Sequence, residues 1–215
     1  MKKIMFNDKF GLTQAVLDGR KTMTRRIIKC PRTFRGEWVA GFNIHRSPSD
    51  KKIVGFPCMY DADEREFDMG EILPKYKLGE VVAIAQSYRD SGYSPDSLDR
   101  HPKDLSVRGL MKDSAGWNNK MFVKSYACRH HIKIVNVKIE RLQDISDEDC
   151  LKEGVIHAYT DNNGIKIYHT PHTKRGYLST DVAQQAFSFL IDKVSGKGTW
   201  ESNPFVFAYE FVLVD

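Results

Sequence analysis

The sequence predicts an α+β protein in which a mostly antiparallel sheet curls into a β-barrel and helices flank it. Three observations carry that expectation. Segments with strand character outnumber helical ones, and the helical patterns are short and far apart. The run 205–214 alternates Phe205, Phe207, Tyr209, Phe211 and Leu213 against Val206, Ala208, Glu210 and Val212, the two-residue period of a strand with a bulky inner face. With 215 residues, 41% of them hydrophobic, the chain can bury a sizeable core, and a single domain over 1–215 is expected.

In chain order, residues 4–6 read as a short strand. A helical spacing of Phe10, Leu12, Ala15, Val16 and Leu17 over 9–18 follows, with Gly19 just past its end. Residues 22–28 favour an extended segment that Pro31 limits. The stretches 38–44 and 52–60 read as paired strands, the acidic run 61–66 as a solvated turn, and 81–85 as a buried strand. Residues 89–120 are rich in Ser, Asp, Pro, Gly and Asn and read as a long surface loop. Apolar residues over 121–141 mark one or two strands joined near Asn136. Ser146 with Asp149 opens a short helix that Gly154 ends, which leaves Glu153 at its C-terminus, the unfavourable end of the helix dipole for a carboxylate. Asn163-Gly164 marks a hairpin turn, and Thr180 is placed to cap a helix with Val182, Ala183, Ala186, Phe187, Leu190, Ile191 and Val194 at the helical period.

No hydrophobic run reaches the roughly 18 residues that a membrane span requires, and residues 1–6 lead into Asn7 and Asp8 instead of a signal-peptide core. A soluble, cytoplasmic protein without a membrane partner is expected. The four cysteines, Cys30, Cys58, Cys128 and Cys150, are scattered, which suits free thiols in a reducing compartment. A net charge of +5 is compatible with a polyanionic partner and equally with a basic surface that serves solubility. His130-His131 and His169-x-x-His172 are poor metal ligands, because neighbours on a strand point apart and the second pair flanks Pro171; neither a metal nor another cofactor is expected.

The densest chemistry lies in Gly19-Arg20-Lys21-Thr22-Met23-Thr24-Arg25-Arg26, where four residues are cationic and two are threonines. One use of such a cluster is anion binding: Arg20, Lys21, Arg25 and Arg26 contact phosphates while Trp38, Tyr88 or Trp117 stacks on a base. Another is a basic edge strand that discourages sheet association. A third is nucleophilic catalysis, in which a desolvated lysine deprotonates a threonine hydroxyl. Lys21 and Thr24, three apart, point to opposite faces of a regular strand, so this chemistry requires Lys21 to lie in the turn after Gly19.

The ordered blocks Ala15-Val16-Leu17-Asp18-Gly19-Arg20-Lys21-Thr22-Met23-Thr24-Arg25-Arg26, Lys77-Leu78-Gly79-Glu80-Val81, Ile139-Glu140-Arg141-Leu142-Gln143-Asp144-Ile145-Ser146 through Glu153-Gly154, and Gly196-Lys197-Gly198-Thr199-Trp200 with Asn203-Pro204-Phe205-Val206-Phe207 resemble the ASCH domains of the PUA-like superfamily, in particular the longer phage and prophage type. The resemblance implies a PUA-like β-barrel with insertions near 30–75 and 89–120. It also implies binding of RNA or a modified nucleoside or nucleotide in a basic cleft. Some small members are amidohydrolases that remove acyl groups from the exocyclic amine of cytidine with a lysine, a threonine and a glutamate. Carried onto this chain, those roles fall on Lys21, Thr24 and Glu153. This chain is about twice as long as the small hydrolases.

Overall fold

The computed structural model describes residues 1–92, 118–171 and 178–214. Trp117, His172 and most of the expected loop 89–120 lie outside them. The protein is α+β, built on a five-stranded sheet of β1 (Lys3–Ile4), β8 (Val81–Ile84), β9 (His131–Arg141), β13 (Phe205–Leu213) and β2 (Met23–Ile27), in the spatial order β1-β8-β9-β13-β2. Only the β1–β8 pairing is parallel. β13 lies inside the sheet, between β9 and β2, and is buried on both faces, with Phe207, Tyr209 and Phe211 turned to one core and Val206 to a second. Each large side chain removed from water in this way contributes roughly 1.5–3 kcal/mol, so this strand and its neighbours anchor the fold. The break expected near Asn136 is instead a register shift between Glu210 and Phe211 against one continuous β9.

Helix α4 (Ala183–Ser195) lays Ala183, Ala186, Phe187 and Ile191 on the second core and Leu190 on the first, so its apolar stripe bridges the two. Thr180 does not cap it. It belongs to β12 (Ser179–Thr180), which pairs with β11 (Lys166–His169), and its hydroxyl accepts from the Val182 N–H, while Val182 holds the cap position without a side-chain bond. The hairpin of β10 (Ile156–Thr160) and β11 turns at Asn163-Gly164, where the Asp161 carboxylate accepts from the N–H groups of Asn163 and Ile165.

The expected strand pair is β5 (Gly41–Asn43) on β6 (Cys58–Tyr60); a third strand, β7 (Glu66–Glu71), adds to β6. β3 (Thr33–Phe34) and β4 (Glu37–Trp38) form a separate hairpin. The acidic run keeps its turn because the Asp61 side chain accepts from the N–H groups of Asp63 and Arg65.

Among the described residues none of the sheets closes into a barrel, which corrects the expected closed barrel. The two edges of the five-stranded sheet are β1 and β2. Where a ladder between them would complete a cylinder, side chains intervene: Arg26 Nη2 donates to the Met5 carbonyl at 2.6 Å, and a cavity opens beside it. Among the described residues no helix is long and apolar enough to cross a membrane.

Candidate functional site

The cavity in this seam measures about 40 Å³, and Lys21, Thr24, Arg25, Arg26 and Glu153 line it together with an apolar wall that includes Phe6, Leu12 and α4. Two chain ends position the polar members. Helix α1 (Leu12–Leu17) stops at Gly19, whose φ of +71° is a left-handed conformation that suits glycine. The chain then turns. Lys21 N–H returns to the Ala15 carbonyl and Thr22 N–H to the Lys152 carbonyl, both at 2.9 Å, so Lys21 precedes the strand that starts at Met23, as the chemistry of a Lys21–Thr24 pair requires.

From the other side, helix α3 (Asp147–Lys152) begins at Ser146, whose hydroxyl accepts from the Asp149 N–H at 3.2 Å, and ends at Glu153. Gly154, at φ +108°, carries the chain away; a Cβ there would stand 3.1 Å from Leu12 Cδ2 and 3.7 Å from Lys21 Cδ. The glycine therefore makes room for Leu12, while the lysine stem lies at ordinary contact distance.

Lys21 Nζ donates to the Glu153 carbonyl and to Glu153 Oε2, each at 2.7 Å. A cation on both the helix-end carbonyl and the carboxylate explains how Glu153 tolerates the negative end of α3. Arg25, whose side chain is fully buried, donates through Nε to Glu140 Oε1 at 2.8 Å, through Nη2 to Asp149 Oδ2 at 2.7 Å and through Nη1 to Glu153 Oε1 at 3.2 Å. Lys138 closes the network on Glu140 at 3.0 Å and Asp149 at 2.8 Å. Register explains the meeting: Arg25 and Lys138 both oppose Ala208 of β13, one from each side, with only a methyl between them. Three cations, Lys21, Arg25 and Lys138, face three carboxylates, Glu140, Asp149 and Glu153, so the cluster is neutral as a whole.

Burial strips the Lys21 ammonium of water and pushes its pKa below the ordinary lysine value, against the opposing pull of Glu153. Arg25 goes the other way: burial disfavours its charge, but Glu153, Glu140 and Asp149 outweigh that and raise it. Burial likewise opposes the Asp149 carboxylate, and Lys138 and Arg25 overcome it to hold the carboxyl below its ordinary range. Cys150, by contrast, is pushed up to about 12 by burial and is inert as a nucleophile.

Thr24 is 5% exposed and faces the cavity, yet its hydroxyl has no hydrogen-bond partner among the described residues. An unsatisfied buried hydroxyl costs about 1–3 kcal/mol, so its retention needs a reason other than stability. Compared with protein families, with curated proteins and with solved structures, the chain matches none.

The four cations of the cluster are placed differently from one another. Lys21 and Arg25 are turned inward and committed to carboxylates, because each is cheaper to bury paired than alone. Arg20 is exposed and paired with Asp18 at 2.8 Å, and Arg26 is half-buried at the cavity. Of the proposed stacking residues, Trp38 is 62% exposed on the β3–β4 hairpin and Tyr88 is buried. Sequence reasoning missed Glu140, Asp149 and Lys138 as partners of the site. The available signal was charge at alternate positions 138 and 140 of a strand next to a buried layer; Asp149 was read only as a capping residue.

A larger groove, about 510 Å³, lies between the stretch 46–56 and β9; it shares Lys138 and Glu140 with the charge network but contains none of Lys21, Thr24 and Glu153. No group of three or more His, Cys, Asp or Glu among the described residues is arranged to hold a metal ion.

Proposed function

We propose that the protein is an amidohydrolase of the ASCH, PUA-like kind that removes the acyl group from an N4-acylated cytidine or a related amide. The observation that carries this reading is the unpartnered Thr24 hydroxyl in the same cavity as a lysine whose Nζ is fixed by Glu153. The five-stranded sheet is taken as a PUA-like barrel left open at the β1–β2 seam, where the substrate enters.

Two N–H groups of Lys21 are used on Glu153, so the third tetrahedral position carries either the last proton or the lone pair. With its pKa lowered by desolvation, Lys21 takes the proton of Thr24 as Oγ1 attacks the acyl carbon. Arg26 lines the cavity and keeps donors beyond the one given to the Met5 carbonyl for the developing oxyanion. Lys21 then returns its proton to the departing amine. Glu153, its charge stabilised by Arg25, orients the water that releases the acid from acyl-Thr24 and restores the hydroxyl.

RNA or nucleotide binding, the function that the resemblance implies first, uses the same mouth through Arg26, which lines the cavity; Arg20, exposed and paired with Asp18, is the other cluster cation not committed to the buried carboxylates. The deciding experiment is release of cytidine from N4-acetylcytidine by purified protein, with loss of release in Thr24→Ala and Lys21→Ala and a Thr24-bound acyl adduct by mass spectrometry after acid quench. Turnover that survives both substitutions refutes the assignment.

A further inference from the structure

Strand β9 outruns its partner on one flank. β8 pairs with it only at His131, Ile132 and Lys133, and the last backbone bonds on that flank join Ile134 to Gly79 and Glu80. On the other flank β13 continues to Arg141. Among the described residues, β9 from Val137 onward therefore has a free edge inside the sheet.

Register fixes which backbone groups face that edge. Ile28 N–H donates to the Phe205 carbonyl and Phe211 N–H to the Thr22 carbonyl, so the odd-numbered residues of β13 turn their polar groups toward β2. Val206, Ala208 and Glu210 then turn theirs toward β9, opposite Glu140, Lys138 and Asn136. Val137 and Ile139 lie between these positions, so their N–H and C=O groups point away from β13, and among the described residues nothing bonds them there. The register shift at Glu210 and Phe211 leaves Val135 as an extra residue, which passes the edge from even to odd positions.

The larger groove lies along this edge. Residues 137–140 of β9 form one wall, and Arg46, Lys52, Ile53 and Phe56 belong to the other. That second wall is tied to itself, Val54 N–H donating to the His45 carbonyl and Ser47 N–H to the Lys52 carbonyl, and it lends β9 no backbone bond. The same wall stands before the edge in every copy of the chain, so two β9 edges cannot meet. A single extended strand fits where a second sheet does not.

We propose that this groove receives an extended peptide segment of another protein, which adds as an antiparallel strand along Val137–Ile139 and carries an acidic residue between two β-branched ones. Main-chain bonds to Val137 and Ile139 supply the attachment, and side chains supply the selection. Residues directly opposite Val137 and Ile139 share their face, at the margin of the first core, which suits valine or isoleucine. The residue between them lies opposite Lys138, whose ammonium reaches solvent, and an acidic side chain suits it. Arg46 adds to that preference: it is exposed, donates to the Lys51 carbonyl and has no ion pair among the described residues. A nucleic-acid strand would use Arg46 and Lys52 but has no alternating donors and acceptors to match the edge. None of Lys21, Thr24 and Glu153 lines the groove, so the proposal stands apart from the amidohydrolase reading.

The test uses a fluorescent heptapeptide, Thr-Val-Glu-Val-Glu-Val-Thr with both ends blocked, on the full chain. Saturable binding below about 1 mM is expected, with slowed amide hydrogen exchange at Val137 and Ile139 by NMR. Methylating the valine nitrogens of the peptide leaves the protein untouched and should weaken binding about tenfold or more. Arg46→Glu should weaken it about threefold or more. No saturation by about 1 mM, equal affinity of the methylated peptide, or protection confined to other residues overturns strand addition. Unchanged affinity in folded Arg46→Glu, or equal binding of a peptide with lysine for glutamate, overturns the acidic preference. Oligouridylate that binds the groove when the peptide does not overturns the proposal in favour of nucleic acid, and a dimer that occludes Val137 and Ile139 overturns it in favour of a second copy.

Discussion

Replacing Arg25 by methionine keeps most of the stem and removes a guanidinium that touches three carboxylates. The cluster then changes from three cations against three anions to two against three, with Glu140, Asp149 and Glu153 largely withdrawn from solvent. Removing one partner of a buried ion pair costs about 3–5 kcal/mol, a large share of the roughly 5–15 kcal/mol that stabilises a typical domain. Urea denaturation at pH 7 measures this directly.

The pH dependence gives a second reading of the same variant. Asp149 has its folded-state pKa depressed, so in the wild type its contribution is present above the unfolded carboxylate value and is lost as pH falls through the folded one. Arg25→Met lacks part of that contribution at every pH above the window, and the stranded carboxylates take up protons on acidification. The deficit is therefore largest at neutral pH and shrinks as pH falls below about 4. Arg25→Lys retains the charge but a single ammonium cannot bridge all three carboxylates, so an intermediate loss is expected. A loss below about 1 kcal/mol in Arg25→Met, or one that stays undiminished as pH falls well below about 4, refutes the account of the cluster.

Four further outcomes follow from the same geometry. Thr24→Val removes the unpartnered buried hydroxyl without changing shape, so chemical denaturation should show a gain of about 1 kcal/mol while cytidine release is abolished. Initial rates against pH should rise through the Lys21 pKa at a value below the ordinary lysine 10.5, because only the neutral amine accepts the Thr24 proton; a rate flat across that range contradicts Lys21 as base. Gly154→Ala combines a φ of +108° with a Cβ 3.1 Å from Leu12, and a loss of about 2 kcal/mol with reduced turnover is expected in paired thermal-melt and activity assays. Ser146→Ala removes the α3 cap and should cost about 1 kcal/mol by urea titration.

Much of the fold is legible locally. The 3.6-residue spacing of α4, the alternation of β13, the Asn163-Gly164 turn and the Ser146 cap each depend on residues close in sequence. Glu153 at the end of α3 and Lys21 outside β2 follow from the same local punctuation, by Gly154 and Gly19. Closure of the sheet was not legible, because it depends on how two edges remote in sequence approach and on which side chains fill the gap. The inward turn of Arg25 was equally hidden. A strand residue's face is known only once its register is known, and the register of β2 is set by β13, over 180 positions later. Charge alone therefore marked Arg25 as a surface residue.

The six-charge cluster also acts on the denatured chain's choice among pairings. A one-residue slip of β2 along β13 would send Arg25 to the opposite face and strand Glu140, Asp149 and Glu153 against Lys138 and Lys21 alone. Apolar neighbours such as Ile27 and Val206 would discriminate weakly against that slip, since one hydrophobic contact substitutes for another. Carboxylates do not. The cluster thus functions as an alignment key for strands that meet late in the chain, and kinetic refolding of Arg25→Met is where misregistered species should accumulate.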